Sequence, residues 1–304
     1  MGNYHKPVML KECIEYLDIK PGGNYVDVTF GGGGHTKAIL EHLTDGKLYA
    51  FDQDKDALKN AREIEDSSFI FIEANFRYLR RYLKANGIIG VDGILADLGV
   101  SSHQIDMAER GFSTRFDGEL DMRMDRQSPL TAKEVVNTYK EIELQNVFGR
   151  YGEVRNAKTL ASAIAAARIN KPINTSSELK EVLKRFAPRG KESKYFAQVY
   201  QALRIEVNDE LKALEDFLLQ TVEILNPGGR LVVMSYHSLE DRLVKNFINK
   251  GNFVGEDDKD FYGNVLRPLI PVNKKPVTAS KEEIAENNRA RSAKLRVATK
   301  AVGA

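Results

Sequence analysis

The chain has a single cysteine, Cys13, which excludes a disulfide within it and fits a reducing compartment. No apolar run approaches the roughly 18 residues of a membrane span. The opening stretch Met1-Gly2-Asn3-Tyr4-His5-Lys6-Pro7 has no apolar signal core. A cytoplasmic protein without a membrane partner is therefore expected. Internal repeats and low-complexity tracts are missing too, which excludes a repeat architecture. Aspartate is missing locally: between Thr131 and Ile205 there is none, and 14 Lys/Arg stand against 7 Glu, although the whole chain carries only +2. The middle is basic and the remainder acidic. That suits either a polyanion partner or a solvated helical surface.

What is present is ordinary in bulk. With 304 residues, 42% hydrophobic and 29% charged, the chain buries a core and forms one large or two unequal domains. Its first third alternates strand and helix. Near-continuous apolar strands are expected at Tyr25–Thr29, Leu48–Asp52, Phe69–Ile72 and Val91–Leu98. Helices are expected after the first glycines, through Ala57, Leu58, Ala61 and Ile64, and over Phe76–Leu83. This pattern implies an α/β fold whose parallel sheet is covered on both faces. From Gly99 to Pro129 the chain reads as loop. Helices then follow, two of them opened by the capping boxes Thr131-Ala-Lys-Glu134 and Thr175-Ser-Ser-Glu178. Lys158–Arg168 reads as helix, and Ser193–Leu225 as one long helix stopped by Asn226-Pro-Gly-Gly229. A further strand, Arg230–Ser235, resumes the sheet. The boundaries expected are a sheet domain of residues 1–105 and 200–304, interrupted by a helical insertion at 106–199.

The most informative stretch is Asp27-Val-Thr-Phe-Gly31-Gly-Gly-Gly34-His35, where a strand carrying an acid runs into four glycines. Glycines there let a ligand approach the backbone at a helix start. A dinucleotide site wants G-x-G-x-x-G, and the third glycine is replaced by Thr36 or Lys37 in the two registers. The other arrangement is an acid four residues before G-x-G, with Asp52 ending the next strand to accept ribose hydroxyls. Such an acid-lined loop favours S-adenosylmethionine, which carries a sulfonium and an ammonium.

Six separated motifs resemble one family. They are Asp27-x-Thr29-x-Gly31-x-Gly33-Gly34-His35, Asp97-Leu-Gly-Val-Ser-Ser102, Glu109-Arg-Gly-Phe-Ser113, Leu120-Asp-Met-Arg-Met-Asp125, Ser235-Tyr-His-Ser-Leu-Glu-Asp-Arg242 and Arg289-Ala-Arg-Ser-Ala-Lys-Leu-Arg296. In this order they resemble the bacterial small-subunit ribosomal RNA cytosine-N4 methyltransferases, from His5-Lys6-Pro7-Val8 to Arg296. The resemblance implies a class I, Rossmann-like methyltransferase sheet with a helical insertion, and S-adenosylmethionine as methyl donor. It implies that Gly33, Gly34 and His35 hold the methionine end, Asp52 the ribose and Phe76 the adenine. Asp97 and Gln104 complete the cofactor site. The implied acceptor is the exocyclic amine of a decoding-centre cytidine in 16S ribosomal RNA of the small subunit. Asn288 and His103 stand where the family commonly has proline, and Gly32 where it often has a larger residue.

A cytosine amine is a poor nucleophile, so catalysis must orient it and relieve charge on nitrogen, and Asp97 is the candidate catalytic acceptor. Cytosine C5 chemistry needs a cysteine nucleophile, and Cys13 precedes the cofactor loop, which favours direct transfer. Other residues stay open between two readings. His35 binds cofactor or caps a helix, and Asp97 acts in the site or in a turn. Arg110 and Phe112, near Arg115 and Phe116, stack an unpaired base or anchor a loop. His237 contacts substrate or packs. Arg185 and Arg189, with Lys184, Lys191 and Lys194, track phosphates or coat a surface. Arg289, Arg291, Lys294 and Arg296 do the same, or form the salt-bridged edge of a final strand. Asp121 and Asp125 read as ion-pairing around Arg123, and no metal is expected. The oligomeric state is open, a homodimer included. Two other functions compete: an assembly protein that only binds the cofactor, and a dinucleotide oxidoreductase.

Overall fold

The computed structural model describes residues 7–263 and 265–302. His5 and Lys6, where the family resemblance begins, lie outside the described residues. Two compact units emerge, one of residues up to Gly99 together with Leu211 onward, the other Val100–Glu210. The divisions fall several residues outside the expected 105/106 and 199/200. The reason is that the residues of 192–208 pack into the helical core, through Tyr195, Val199, Leu203 and Val207.

In the first unit, α1 (Leu10–Leu17) precedes β1 (Asn24–Asp27), α2 (Gly34–Leu40), β2 (Lys47–Asp52), α3 (Ala57–Ala61), β3 (Phe69–Glu73), α4 (Leu79–Ala85) and β4 (Val91–Asp97). The helical unit contributes α5 (Ser102–Asp106), α6 (Ala132–Thr138), α7 (Glu141–Gly152), α8 (Ala157–Asn170), α9 (Ser176–Lys184) and α10 (Glu192–Asn208). After α11 (Glu210–Ile224) come β5 (Leu225–Ser235), α12 (Ser238–Lys250), β6 (Leu269–Pro271), α13 (Lys281–Glu286) and β7 (Lys294–Lys300).

The sheet has seven strands in the order β3-β2-β1-β4-β5-β7-β6. β1 to β5 run parallel, and β7 is antiparallel to both β5 and β6. This is the class I methyltransferase architecture expected. Side chains alternate faces as period-2 strands must. Ile94 and Ala96 pack with Val26, Leu231, Val233 and Phe217 on one face, and Leu95 with Tyr25, Leu48 and Val232 on the other. Chain order reverses between β1 and β4. A crevice at such a switch point, beyond the carboxyl ends of the strands, is where open α/β sheets bind ligands.

Several expectations need revision. The 3₁₀ turn Phe76–Tyr78 precedes α4, so Phe76 is not in an α-helix. The "loop" after Gly99 contains α5, opened by a Ser101–Gln104 capping box. α7 is also a helix that sequence reading passed over. The long helix of 193–225 is two helices, because Asp209 adopts a left-handed φ of 49° that ends α10. Asn226–Gly229 does not simply stop a helix: Val91 pairs with Leu225 and Gly93 with Arg230, so those residues bulge from within β5. β7 is not a sheet edge, since it lies between β5 and β6. Arg296 on it donates to Asp241 at 2.7 Å and Lys294 to the same carboxylate at 3.1 Å. These two cations are thus engaged in the sheet domain, which corrects the phosphate-tracking reading for them.

The helical unit has its own core of Leu120, Met122, Val135, Leu144, Phe148, Leu160, Leu179, Tyr200 and their neighbours. Both expected capping boxes form: Thr131 accepts from the Glu134 N–H, and Thr175 from the Glu178 N–H. Asp121 grips Arg123 through both oxygens, at 2.7 and 3.0 Å, as the ion-pair reading expected.

Candidate active site

The carboxyl ends of β1, β2 and β4 deliver Asp27, Asp52 and Asp97. Asp27 is fully buried, accepting from the Thr36 hydroxyl at 2.8 Å and the Thr29 N–H at 3.1 Å. Asp52 accepts from the N–H of Gly31 and of Asp54, each at 2.8 Å. It therefore holds the glycine loop from below, while Asn60 donates to the Gly31 carbonyl at 3.0 Å. Gly31 and Gly33 sit at φ of 52° and 75°, the left-handed region that glycine tolerates. Gly33 donates back to the Phe30 carbonyl at 2.7 Å and opens α2. At Gly34 an added Cβ would overlap the ring of Pro7. Gly34→Ala should therefore displace the 7–9 segment and cost about 1–3 kcal/mol, read as a lowered thermal midpoint.

His35, in the first turn of α2, is buried rather than capping. Its Nε2 lies 3.2 Å from the Val8 carbonyl. A carbonyl only accepts, so Nε2 carries the proton and Nδ1 is left with its lone pair. Nδ1 lies 4.0 Å from Asp97 Oδ2. Burial lowers the His35 pKa more than Asp97 raises it, which keeps the ring neutral near pH 7.

Asp97 ends β4. Its N–H donates to the Thr29 hydroxyl at 2.6 Å, and its Oδ1 accepts from the Tyr236 hydroxyl at 2.7 Å. Its side chain stays 26% exposed, so one face of the carboxylate is open. Burial pushes the pKa of Asp27, Asp52 and Asp97 each up to about 6. Three carboxyls crowded at strand ends gain from a cationic ligand with hydroxyl or amine donors. S-adenosylmethionine fits this donor set: its sulfonium and ammonium answer the charge and its ribose the acceptor oxygens.

Phe76 is half-buried, edge-on to Phe217 with ring centroids 5.4 Å apart. Asn75, before it, donates to Gln53 at 2.7 Å and so ties the end of β3 to the residue after Asp52. The structure thus brings Gly33, Gly34, His35, Asp52, Phe76 and Asp97 to one end of one sheet. Gln104 belongs to the helical unit, where its side chain accepts from the Ser101 N–H at 3.0 Å.

The candidate substrate residues divide. Arg110 is buried and donates to the carbonyl of Arg123 at 2.9 Å, with Phe112 in the helical core beneath it at 5.8 Å. Both are anchors of the 107–125 segment, which corrects their reading as base contacts. Phe116 beside Arg115 is exposed at 45%. His237 caps α12: its Nδ1 accepts from the Glu240 N–H at 3.4 Å, and its Nε2 lies 3.2 Å from Glu240 Oε1. Arg185 and Arg189, with Lys184, Lys191 and Lys194, are all exposed around the break between α9 and α10. Sequence reasoning missed Thr29, Thr36 and Tyr236. Thr29 and Tyr236 lie inside recognised motifs, and their partners are 68 and 139 residues away, beyond any local signal.

Residues 2–301 match the MraW methylase family. A protein from Cytophaga hutchinsonii named ribosomal RNA small subunit methyltransferase H is 60% identical over 295 residues, 97% of this chain and 99% of that protein. One of the same name from Christiangramia forsetii is 59% identical over 298 residues, 98% of each chain. Among solved structures, an rRNA methylase from Streptococcus thermophilus aligns over 96% of this chain and 94% of its own, at 14% identity and a TM-score of 0.41. The chain belongs to the MraW methylase family and is an S-adenosylmethionine-dependent methyltransferase.

Proposed function

We propose that this enzyme methylates the exocyclic N4 amine of a decoding-centre cytidine in 16S ribosomal RNA, by direct in-line transfer, in the bacterial cytoplasm. The names carried by its relatives and the family resemblance of its motifs support the acceptor. Asp97 carries the chemical reading: a carboxylate with one oxygen tied and one face open, at the switch point of the sheet.

The donor supplies an electrophilic methyl group. Asp52 would accept its ribose hydroxyls and Phe76 would pack on its adenine, with Gly33, Gly34 and His35 holding the methionine end, as the family resemblance implies. Asp97 accepts from an N–H of the incoming amine, which orients its lone pair and draws off positive charge as the nitrogen takes the methyl group and becomes cationic. The proton goes to bulk water or to Asp97 itself, whose raised pKa suits that task. Cys13 is wholly buried against Leu17 and Tyr25, and burial pushes its thiol pKa well above the usual value. A thiolate nucleophile is not on offer there. Cys13→Ala should keep methyl transfer within about threefold of the parent enzyme. Loss of activity in a variant that still melts normally would return the covalent route to consideration.

Recognition of RNA is assigned to the helical unit. Its five exposed cations at 184–194 track phosphates, and Phe116 stacks an unpaired base. Neutralising Lys184, Arg185, Arg189, Lys191 and Lys194 together should reduce the magnitude of the slope of log K against log salt by up to ~3.5 for single-stranded contacts. Cofactor affinity should stay as it was. An unchanged slope would remove the cluster from the RNA interface.

A further inference from the structure

Asp97 is held at two points within the sheet domain and faces His35 at a third. Its N–H is spent on Thr29, and its Oδ1 on Tyr236. Its Oδ2 faces the Nδ1 lone pair of His35 at 4.0 Å. With Nε2 protonated toward Val8, Nδ1 and Oδ2 are two acceptors facing each other across a gap too long for a hydrogen bond between them. Oδ2 is thus the carboxylate oxygen left without a hydrogen bond to His35, on the side chain's open face. That geometry exists only while the carboxylate stays in this rotamer.

The group that holds the rotamer is Tyr236. It follows the last residue of β5, and its own N–H donates to Glu240 Oε2 at 3.0 Å. Glu240 is in turn locked in the His237–Glu240 capping box of α12. The phenol is thereby aimed at Asp97 by a rigid strand-to-helix turn rather than by a free loop. Gly99 lies alongside the phenol: an added Cβ there would sit 3.6 Å from the Tyr236 ring, at ordinary van der Waals distance. A packing role alone would be met by phenylalanine. The hydroxyl is the informative part, because it is part-buried and has a carboxylate as partner.

We propose that Tyr236 is a positioning residue for methyl transfer: by donating to Oδ1 it fixes the rotamer of Asp97 and leaves Oδ2 to accept from the reacting amine. This rests on the role given to Asp97 above. The charged and titratable groups that face Asp97 are His35, Tyr236, Asp27 and Glu240, with Cys13 behind it. Of these, Tyr236 donates a hydrogen bond to the carboxylate. Its removal must therefore disfavour the ionised form.

The test compares Tyr236→Phe, Asp97→Asn and a protein with 3-fluorotyrosine at 236, using small ribosomal subunits and labelled donor across pH 5–8.5. Tyr236→Phe should lose 10- to 100-fold in kcat with KM for both substrates changed less than about threefold. The acidic limb of its kcat profile should move to higher pH by about one unit. Fluorotyrosine, a more acidic and stronger donor, should restore kcat and move the limb the other way. That second variant decides the matter even if Tyr236→Phe folds poorly. An unmoved limb in both variants, with Asp97→Asn inactive, overturns the role of Tyr236 and leaves that of Asp97 standing. Full activity in Asp97→Asn overturns both.

Discussion

Asp97→Asn should lower kcat by about 10³-fold while the protein folds and binds its cofactor within roughly tenfold of the parent affinity. The amide keeps the size of the side chain and an acceptor oxygen for Tyr236. It loses the negative charge, and its NH2 then points at the Nδ1 lone pair of His35, where the carboxylate had offered a second acceptor. A donor there meets the incoming amine where an acceptor oxygen had stood. The loss should appear in kcat, because the charge on the acceptor nitrogen develops only in the transition state. Single-turnover transfer from saturating labelled donor to small subunits reads this directly. A variant with near-parental single-turnover rate would mean that Asp97 is a structural acid at the end of β4.

Cofactor binding should depend steeply on pH below about 6. Burial raises the pKa of Asp27, Asp52 and Asp97 from 3.8 to about 6, so the folded protein without ligand binds protons that the unfolded chain does not. The sign follows: stability from these groups is greatest below pH 4 and is lost as pH rises toward 6, on the order of 3 kcal/mol for each group. A cationic ligand reverses the preference, since it favours the carboxylates over the acids. Its affinity should fall up to ~10-fold per pH unit below 6 for each proton displaced. The rise in melting temperature on adding S-adenosylmethionine should accordingly be larger at pH 7.5 than at pH 5. S-adenosylhomocysteine, which lacks the sulfonium charge, should show a weaker dependence. Equal affinity at both pH values would mean that these acids do not face the charged part of the cofactor.

The sheet was legible in the sequence because its strands are apolar runs ended by acids: Asp27, Asp52 and Asp97 end three of them, the last two each two residues past the partners of Asp27. The helical excursion was legible as an interruption, and its capping boxes located two helix starts to the residue. What escaped was decided by tertiary contacts. The helix over 193–225 has unbroken apolar periodicity, so nothing local announces the left-handed turn at Asp209. Asn226-Pro-Gly-Gly229 is a turn in sequence and a bulge in the sheet, because Leu225 finds Val91 as a partner. The candidate site shows the same division. Its acids and glycines carry a local signature. The residues that hold them are ordinary in sequence: Thr29 and Tyr236 acquire meaning from partners 68 and 139 residues away, and Thr36 from Asp27 across the glycine loop. Arg110 and Phe112 mislead for the opposite reason. An arginine and an aromatic in a loop look like an RNA contact, and the fold uses them as an anchor.

The central claim is that this chain places a methyl group on the N4 amine of cytidine in small-subunit ribosomal RNA. Small subunits from cells lacking the enzyme, incubated with isotope-labelled S-adenosylmethionine and then digested to nucleosides, should yield labelled N4-methylcytidine by mass spectrometry, and none with Asp97→Asn. Label recovered as 5-methylcytidine, or on another base, would contradict the account.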